Sequence, residues 1–291
     1  MIRYAITQAE LRQRINETAP TWLHKARERT EAYRVAGKYG KPPSDIWSDI
    51  KRVYMELQGY KCGFCERRLE RSEFGNVEHD VEHFRPKGMV EQWPPSSAPE
   101  RGNGLVFPLG DASPGLGYFL LPHEPENYLI SCKTCNTAFK SNGFPVEGAR
   151  ELDMESPRHT NERPLLVYPL GSFDDDPQKL IRFEGIVPVP AANSGRRRKR
   201  GQTLISFFGL AERDGLLLER SITIVNLHLA LTSATNPDPT GQIAQHVLQV
   251  LTSDHAAHAN CARSFVALWE ADQADALAFS EAALDHLLSV A

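Results

Sequence analysis

No stretch of this sequence is apolar for anything near the roughly 18 residues that a membrane-spanning helix requires. The opening Met1-Ile2-Arg3-Tyr4-Ala5-Ile6-Thr7-Gln8 has no apolar core of the secretory kind. A cytoplasmic protein with no membrane contact is the expectation. There is no internal repeat of useful period, which excludes a solenoid or propeller. No Walker motif is present, and Gly102-Asn103-Gly104 is too short to cradle a phosphate, so any ATP dependence has to come from a separate protein. A large excess of one charge is also missing: 33 Lys and Arg stand against 37 Asp and Glu, a net charge of −4, which argues weakly against a protein coated in nucleic acid.

That charge is unevenly spread. Residues 1–72 hold 15 Lys/Arg against 9 Asp/Glu, whereas residues 241–291 hold Arg263 against six acids. The asymmetry fits a basic working face and an acidic far side, and it fits equally well two solvated ends with no partner.

The chain reads as four segments. Residues 1–59 form an N-terminal helical segment, with one helix over 7–35, a break from Gly37 to Pro43, and a second helix from Asp45 to Gln58 with Ser44 as N-cap and Gly59 as stop. Residues 60–145 hold both cysteine pairs. Within them, the alternating Val77-Glu78-His79-Asp80-Val81-Glu82-His83 predicts a short strand, residues 88–117 a Pro/Gly/Ser-rich loop, and the region near Cys132 or Cys135 the start of a helix. Residues 146–201 read as an extended linker ending in a basic loop, and 202–291 as a mostly helical C-terminal region. The fold class expected is α+β.

Cysteine is scarce, with five in 291 residues, but four of the five form Cys62-Gly-Phe-Cys65 and Cys132-Lys-Thr-Cys135. Two residues between thiolates let both sulfurs of a turn face one cation, and a second such turn completes a tetrahedral zinc site. A disulfide framework is not expected without secretion, and a thioredoxin-type redox pair needs only one motif in a βαβ setting. The alternative is four buried free thiols, with the repeated spacing a coincidence. Cys261 reads as a small core residue.

Between and around the pairs lie Val81-Glu82-His83-Phe84-Arg85-Pro86-Lys87, then Glu126-Asn127-Tyr128-Leu129-Ile130-Ser131-Cys132-Lys133-Thr134-Cys135-Asn136, closing on Gly143-Phe144-Pro145. This order resembles the zinc-stabilised HNH, or ββα-metal, endonucleases, and more narrowly the PtuB-like HNH proteins of Septu and retron-associated bacterial antiphage systems. Strong motif coverage runs over about 62–145. The resemblance implies a zinc-braced ββα-metal core that cuts phosphodiester bonds, DNA first, leaving 3′-hydroxyl and 5′-phosphate ends. It also implies one catalytic Mg²⁺ or Mn²⁺ held by Glu82 and the side-chain oxygen of Asn136, with His83 as general base and Asn127 holding the His83 loop. A PtuA-like ATPase is the implied partner, and the acidic C-terminal end is a candidate surface for it.

The chemistry asks for these residue types on its own account. A neutral histidine near pH 7 suits proton removal from water. A hard dication that keeps several waters needs few protein oxygens. Glu82 and Asn136 stand where many HNH sites have Asp or His and His, respectively, which leaves the metal preference open.

Arg85 and Lys87, just beyond the base, are candidates for phosphate contact. The run Arg196-Arg197-Arg198-Lys199-Arg200 is either a nucleic-acid contact, a solvated loop or a patch for a partner protein. His79 is the natural decoy for His83, Asp80 reads as an acid that supports a metal ligand or, more simply, as a solvated one, and Asp174-Asp175-Asp176 as a turn before a helix. A catalytically silent zinc module that binds nucleic acid or a partner ATPase is the competing reading of the whole.

Overall fold

The computed structural model describes residues 1–42, 44–71, 75–158 and 160–290; Pro43, the end of the expected break, lies outside them. The chain divides into two compact units, one of Arg3–Gly63 and Leu69–Asp176, the other of Met1–Ile2, Phe64–Arg68 and Pro177–Ala291.

In the first of these, α1 (Gln8–Thr18) opens on a capping box in which Thr7 and Glu10 satisfy each other's backbone N–H groups. The expected single helix over 7–35 is two helices. Pro20 lacks an N–H and interrupts the ladder, so α1 stops at Thr18 and α2 (Trp22–Ala36) starts afresh. Trp22, Ala26 and Tyr33 form the buried stripe of α2, and Gly37 ends it at φ 65°. Ser44 caps no helix; a 3₁₀ turn at Trp47–Ile50 leads into α3 (Lys51–Leu57), after which Gly59 and Tyr60 both take positive φ and reverse the chain.

The expected strand over 77–83 is shorter. A single helical turn, α4 (Gly75–Glu78), precedes β1 (His79–His83). β1 pairs antiparallel with β2 (Tyr128–Cys132) in the register His79 to Cys132 and His83 to Tyr128. Directly after β2 comes a π-helical segment, Thr134–Lys140, rather than a regular α-helix. The 88–117 stretch is a loop with one 3₁₀ turn, Pro99–Gly102, and it is tied by the Val90–Ser113 bridge. Tyr54, Phe84, Tyr118, Tyr128, Phe144 and Leu165 to Val167 make the core beneath the hairpin.

The other unit holds a hairpin, β3 (Ile181–Glu184) and β4 (Val187–Pro190), whose Ile181 and Phe183 point inward while Arg182 and Glu184 point out. Five helices follow: α5 (Gly195–Phe207), α6 (Asp214–Ser233), α7 (Pro239–Thr252), α8 (Ala259–Ala271) and α9 (Gln273–Val290). The long α6 packs against α7, α8 and α9. Asp174–Asp176 precede a 3₁₀ turn at Pro177–Lys179, as a turn-forming acidic run would. Cys261 is fully buried, with its thiol pushed up to about 12 by burial. No helix among the described residues is long and apolar enough to cross a membrane.

Candidate metal centre and hairpin cleft

The four paired cysteines converge. The sulfurs of Cys62, Cys65, Cys132 and Cys135 all lie within 4.8 Å of one another, all are buried, and none is in a disulfide. A tetrahedral zinc with Zn–S bonds of about 2.3 Å would set its sulfurs just under 4 Å apart. Four soft thiolates in that volume fit zinc.

Local bonds explain the convergence. Gln58 donates from Nε2 to the carbonyls of Lys61 (3.1 Å) and Ile130 (2.9 Å) and accepts from Ile130 N–H (2.7 Å). It thereby fastens the turn before Cys62 to β2. Gly63 N–H also donates to Ile130 O at 2.9 Å. A Cβ on Gly63 would meet Leu129 Cδ1 at 2.9 Å and Gln58 Nε2 at 3.0 Å, so a side chain there would have to displace both. At the second turn Cys135 N–H donates to Cys132 Sγ at 3.4 Å.

Where β1 ends and the π-helical segment begins, a cleft of about 290 Å³ is lined by Glu82, His83, Lys87, Asn136 and Ser141 among others. His83 Nε2 lies 3.1 Å from the Pro122 carbonyl, so Nε2–H donates there and the lone pair sits on Nδ1. Nδ1 has the Lys87 ammonium 3.3 Å away. Burial, followed by the Lys87 charge, holds the imidazole well below the usual histidine range, hence neutral. The rings of Trp47 and Tyr128 pack edge-on against it at 5.0 and 5.1 Å.

Asn127 is wholly buried. Its Oδ1 accepts from Arg85 N–H at 2.7 Å, while Nδ2 donates to the carbonyls of Arg85 and Leu121, each at 3.1 Å. Its side chain is thus spent on the loop that follows His83. Asn136 donates from Nδ2 to Asp80 Oδ2 at 3.2 Å, which leaves Oδ1 as the amide's remaining polar atom. Asp80, expected in solvent, is engaged by Asn136 and by Lys133 at 3.1 Å.

Glu82 is buried and pairs with Lys140, whose Nζ is 2.5 Å from Oε1 and also donates to the His83 carbonyl at 3.0 Å. Burial raises the Glu82 carboxyl above its ordinary range and the Lys140 charge opposes this. Lys140, Gln58 and Trp47 are residues that reading the sequence did not single out. The spacing gave no signal for Lys140, because its approach depends on the wider π-helical turn.

Other expectations need correction. Arg85 does not reach for phosphate: it is 1% exposed, its Nε donates to the buried Glu162 at 2.8 Å, and its guanidinium lies over the Phe144 ring. The basic run is not a loop either. Arg196, Arg197, Arg198, Lys199 and Arg200 form the first turns of α5, and Arg200 is buried. His79 is no part of the cleft, since its Nε2 bonds to the Glu70 carbonyl at 2.8 Å.

The hairpin, the cysteine cluster and the flanking helices define a mixed helix-and-sheet protein with a thiolate site suited to a structural metal. No protein-family model matches the chain, and no solved structure does. It is similar to a Septu protein PtuB from Bacillus mycoides (strain KBAB4), at 28% identity over 178 residues, which is 60% of this chain and 51% of that protein. The chain therefore spans about half the length of the curated relative it matches.

Proposed function

We propose that this chain is a metal-dependent HNH-type endonuclease, the nuclease effector of a Septu-like antiphage system, cutting nucleic acid and DNA first. One observation carries the reading. A neutral, buried histidine with Nε2–H held by a backbone carbonyl shares a cleft with a carboxylate and an amide that has one oxygen left to offer. Hard oxygen donors of that kind suit Mg²⁺ or Mn²⁺ with retained waters.

In this mechanism His83 Nδ1 takes the proton of the attacking water. The Pro122 carbonyl keeps the ring aimed and stabilises the imidazolium through Nε2–H. Lys87 swings from Nδ1 to the incoming phosphate, freeing the base and adding positive charge at the anion. Glu82 and Asn136 would hold the cation, which would supply Lewis-acid stabilisation of the charge that develops on the phosphate. Asn127 fixes the His83 loop by its grip on Arg85. The four cysteines, which would hold a zinc, would brace the end of β2 against the π-helical segment and so set the place of Asn136, which follows Cys135. A PtuA-like ATPase is the proposed partner.

A second reading, a silent zinc module that binds nucleic acid or that ATPase, draws support from the two lysines that occupy His83 Nδ1 and Glu82 Oε1. A cleavage assay on plasmid, single-stranded DNA and tRNA, with Mg²⁺ or Mn²⁺ and with and without the ATPase, decides between them. Nicking by wild type supports the nuclease; zinc binding with no metal-stimulated nicking on any substrate supports the silent module.

A further inference from the structure

The charges at the hairpin cleft are wrong for holding a dication by themselves. Glu82 is the one acid among the described residues that line it, and Lys87 lines it too. Behind Glu82, the buried Lys140 ammonium occupies Oε1 at 2.5 Å. Asn136 is neutral, and the acid beside it, Asp80, is shared with Lys133. One carboxylate thus faces two ammonium groups, and a dication entering alone meets net repulsion. Each phosphate of a nucleic acid brings one negative charge, enough to cancel that excess.

We propose that the cation and the phosphodiester enter this cleft together, and that Lys140 enforces the coupling. Lys140 is a positioning residue. By bonding both the Glu82 carboxylate and the His83 carbonyl it keeps the acid and the base in place without a cation. Its charge keeps a free dication out until phosphate compensates. The device withholds the hydrolytic centre from free metal and completes it only on substrate. This rests on reading the cleft as a phosphodiester-cleaving site.

The test is Mn²⁺ binding to the zinc-loaded full chain, followed by electron paramagnetic resonance with no nucleic acid present. Wild type and K140R should bind weakly and alike, and K140M at least about tenfold tighter, because the removed charge lay a few ångströms from the ion. If Lys140 merely positioned Glu82, K140M would bind no better than wild type or worse, and the proposal falls. Should K140M lose its zinc, the H83A protein, which keeps Lys140, is titrated with and without a short DNA duplex, and H83A/E82Q accounts for Mn²⁺ held by the DNA. Binding at least about tenfold tighter with duplex is expected; equal affinity overturns the coupling. Plasmid nicking by E82Q at the wild-type rate would instead sink the reading of the site, so the two failures are told apart.

Discussion

The side chain of Asn127 bonds to both backbone polar groups of Arg85, accepting from its N–H at 2.7 Å and donating to its carbonyl at 3.1 Å. This ties the start of β2 to the loop that leaves β1 after His83. Asn127→Ala would strand buried backbone groups, at roughly 1–3 kcal/mol for each unsatisfied group. The expected outcome in urea denaturation is a loss of about 2–6 kcal/mol, together with loss of nicking. Asn127→Asp keeps the acceptor but not the donor and should fall between the two.

Arg85 and Glu162 form a buried ion pair at 2.8 Å, with Tyr118 O–H donating to the other Glu162 oxygen at 2.7 Å. Removing one partner leaves an uncompensated charge in the core, which costs about 3–5 kcal/mol. Glu162→Ala should therefore destabilise strongly, while R85M/E162M should recover much of the loss. Arg85→Ala should weaken nucleic-acid binding only in proportion to unfolding. A salt-dependent affinity defect in a fully folded R85A protein would restore the phosphate contact that its burial argues against.

The cysteine cluster should hold one zinc per chain, measured by atomic emission. A structural zinc contributes on the order of 10 kcal/mol of apparent binding energy at neutral pH. Chelation should abolish the cooperative thermal transition, and Cys135→Ser should lower zinc content and nicking together. Cys261→Ser should leave zinc content unchanged, since Cys261 Sγ bonds to the Gly185 carbonyl at 3.5 Å and is no part of the cluster.

Acid should destabilise this protein partly through its histidines. Burial moves His123 down from 6.5 to about 4. Between those values the unfolded chain binds the proton and the native state does not, so stability rises with pH across that window and is lost as pH falls through the folded value. Glu82 and Glu124, raised by burial, give the opposite slope above their ordinary 4.5, so the check is a difference between wild type and His123→Gln. The variant should show a shallower rise from pH 4 to 6.5 than wild type. His83 is depressed in the same direction, which places the acid limb of the nicking rate below the ordinary histidine value of 6.5.

What could be read from the sequence was what depends on fixed spacing. Two Cys-x-x-Cys turns converge because a turn of that length aims both sulfurs one way; the grouping of His83, Asn127 and Asn136 came instead from the resemblance of their segments to HNH proteins. Two of the misses, Arg85 and Lys140, depend on distant partners. Arg85 is buried because Glu162, 77 positions away, meets it in the core. Lys140 meets Glu82, 58 positions earlier, from a segment that winds as a π-helix, a choice no local propensity announces. The break at Pro20 was readable by the proline rule, and the apolar period running through it masked the signal. The basic run looked like a loop for its charge alone, yet Thr203, Leu204 and Phe207 bury the same helix further along.

The most direct test of the account is metal-dependent plasmid nicking by His83→Ala at matched zinc content and thermal stability. A general base contributes about 10²–10⁴-fold, so H83A should lose at least a hundredfold in rate while it keeps its zinc and its melting transition. Cleavage by a folded, zinc-loaded H83A protein at the wild-type rate would contradict the account.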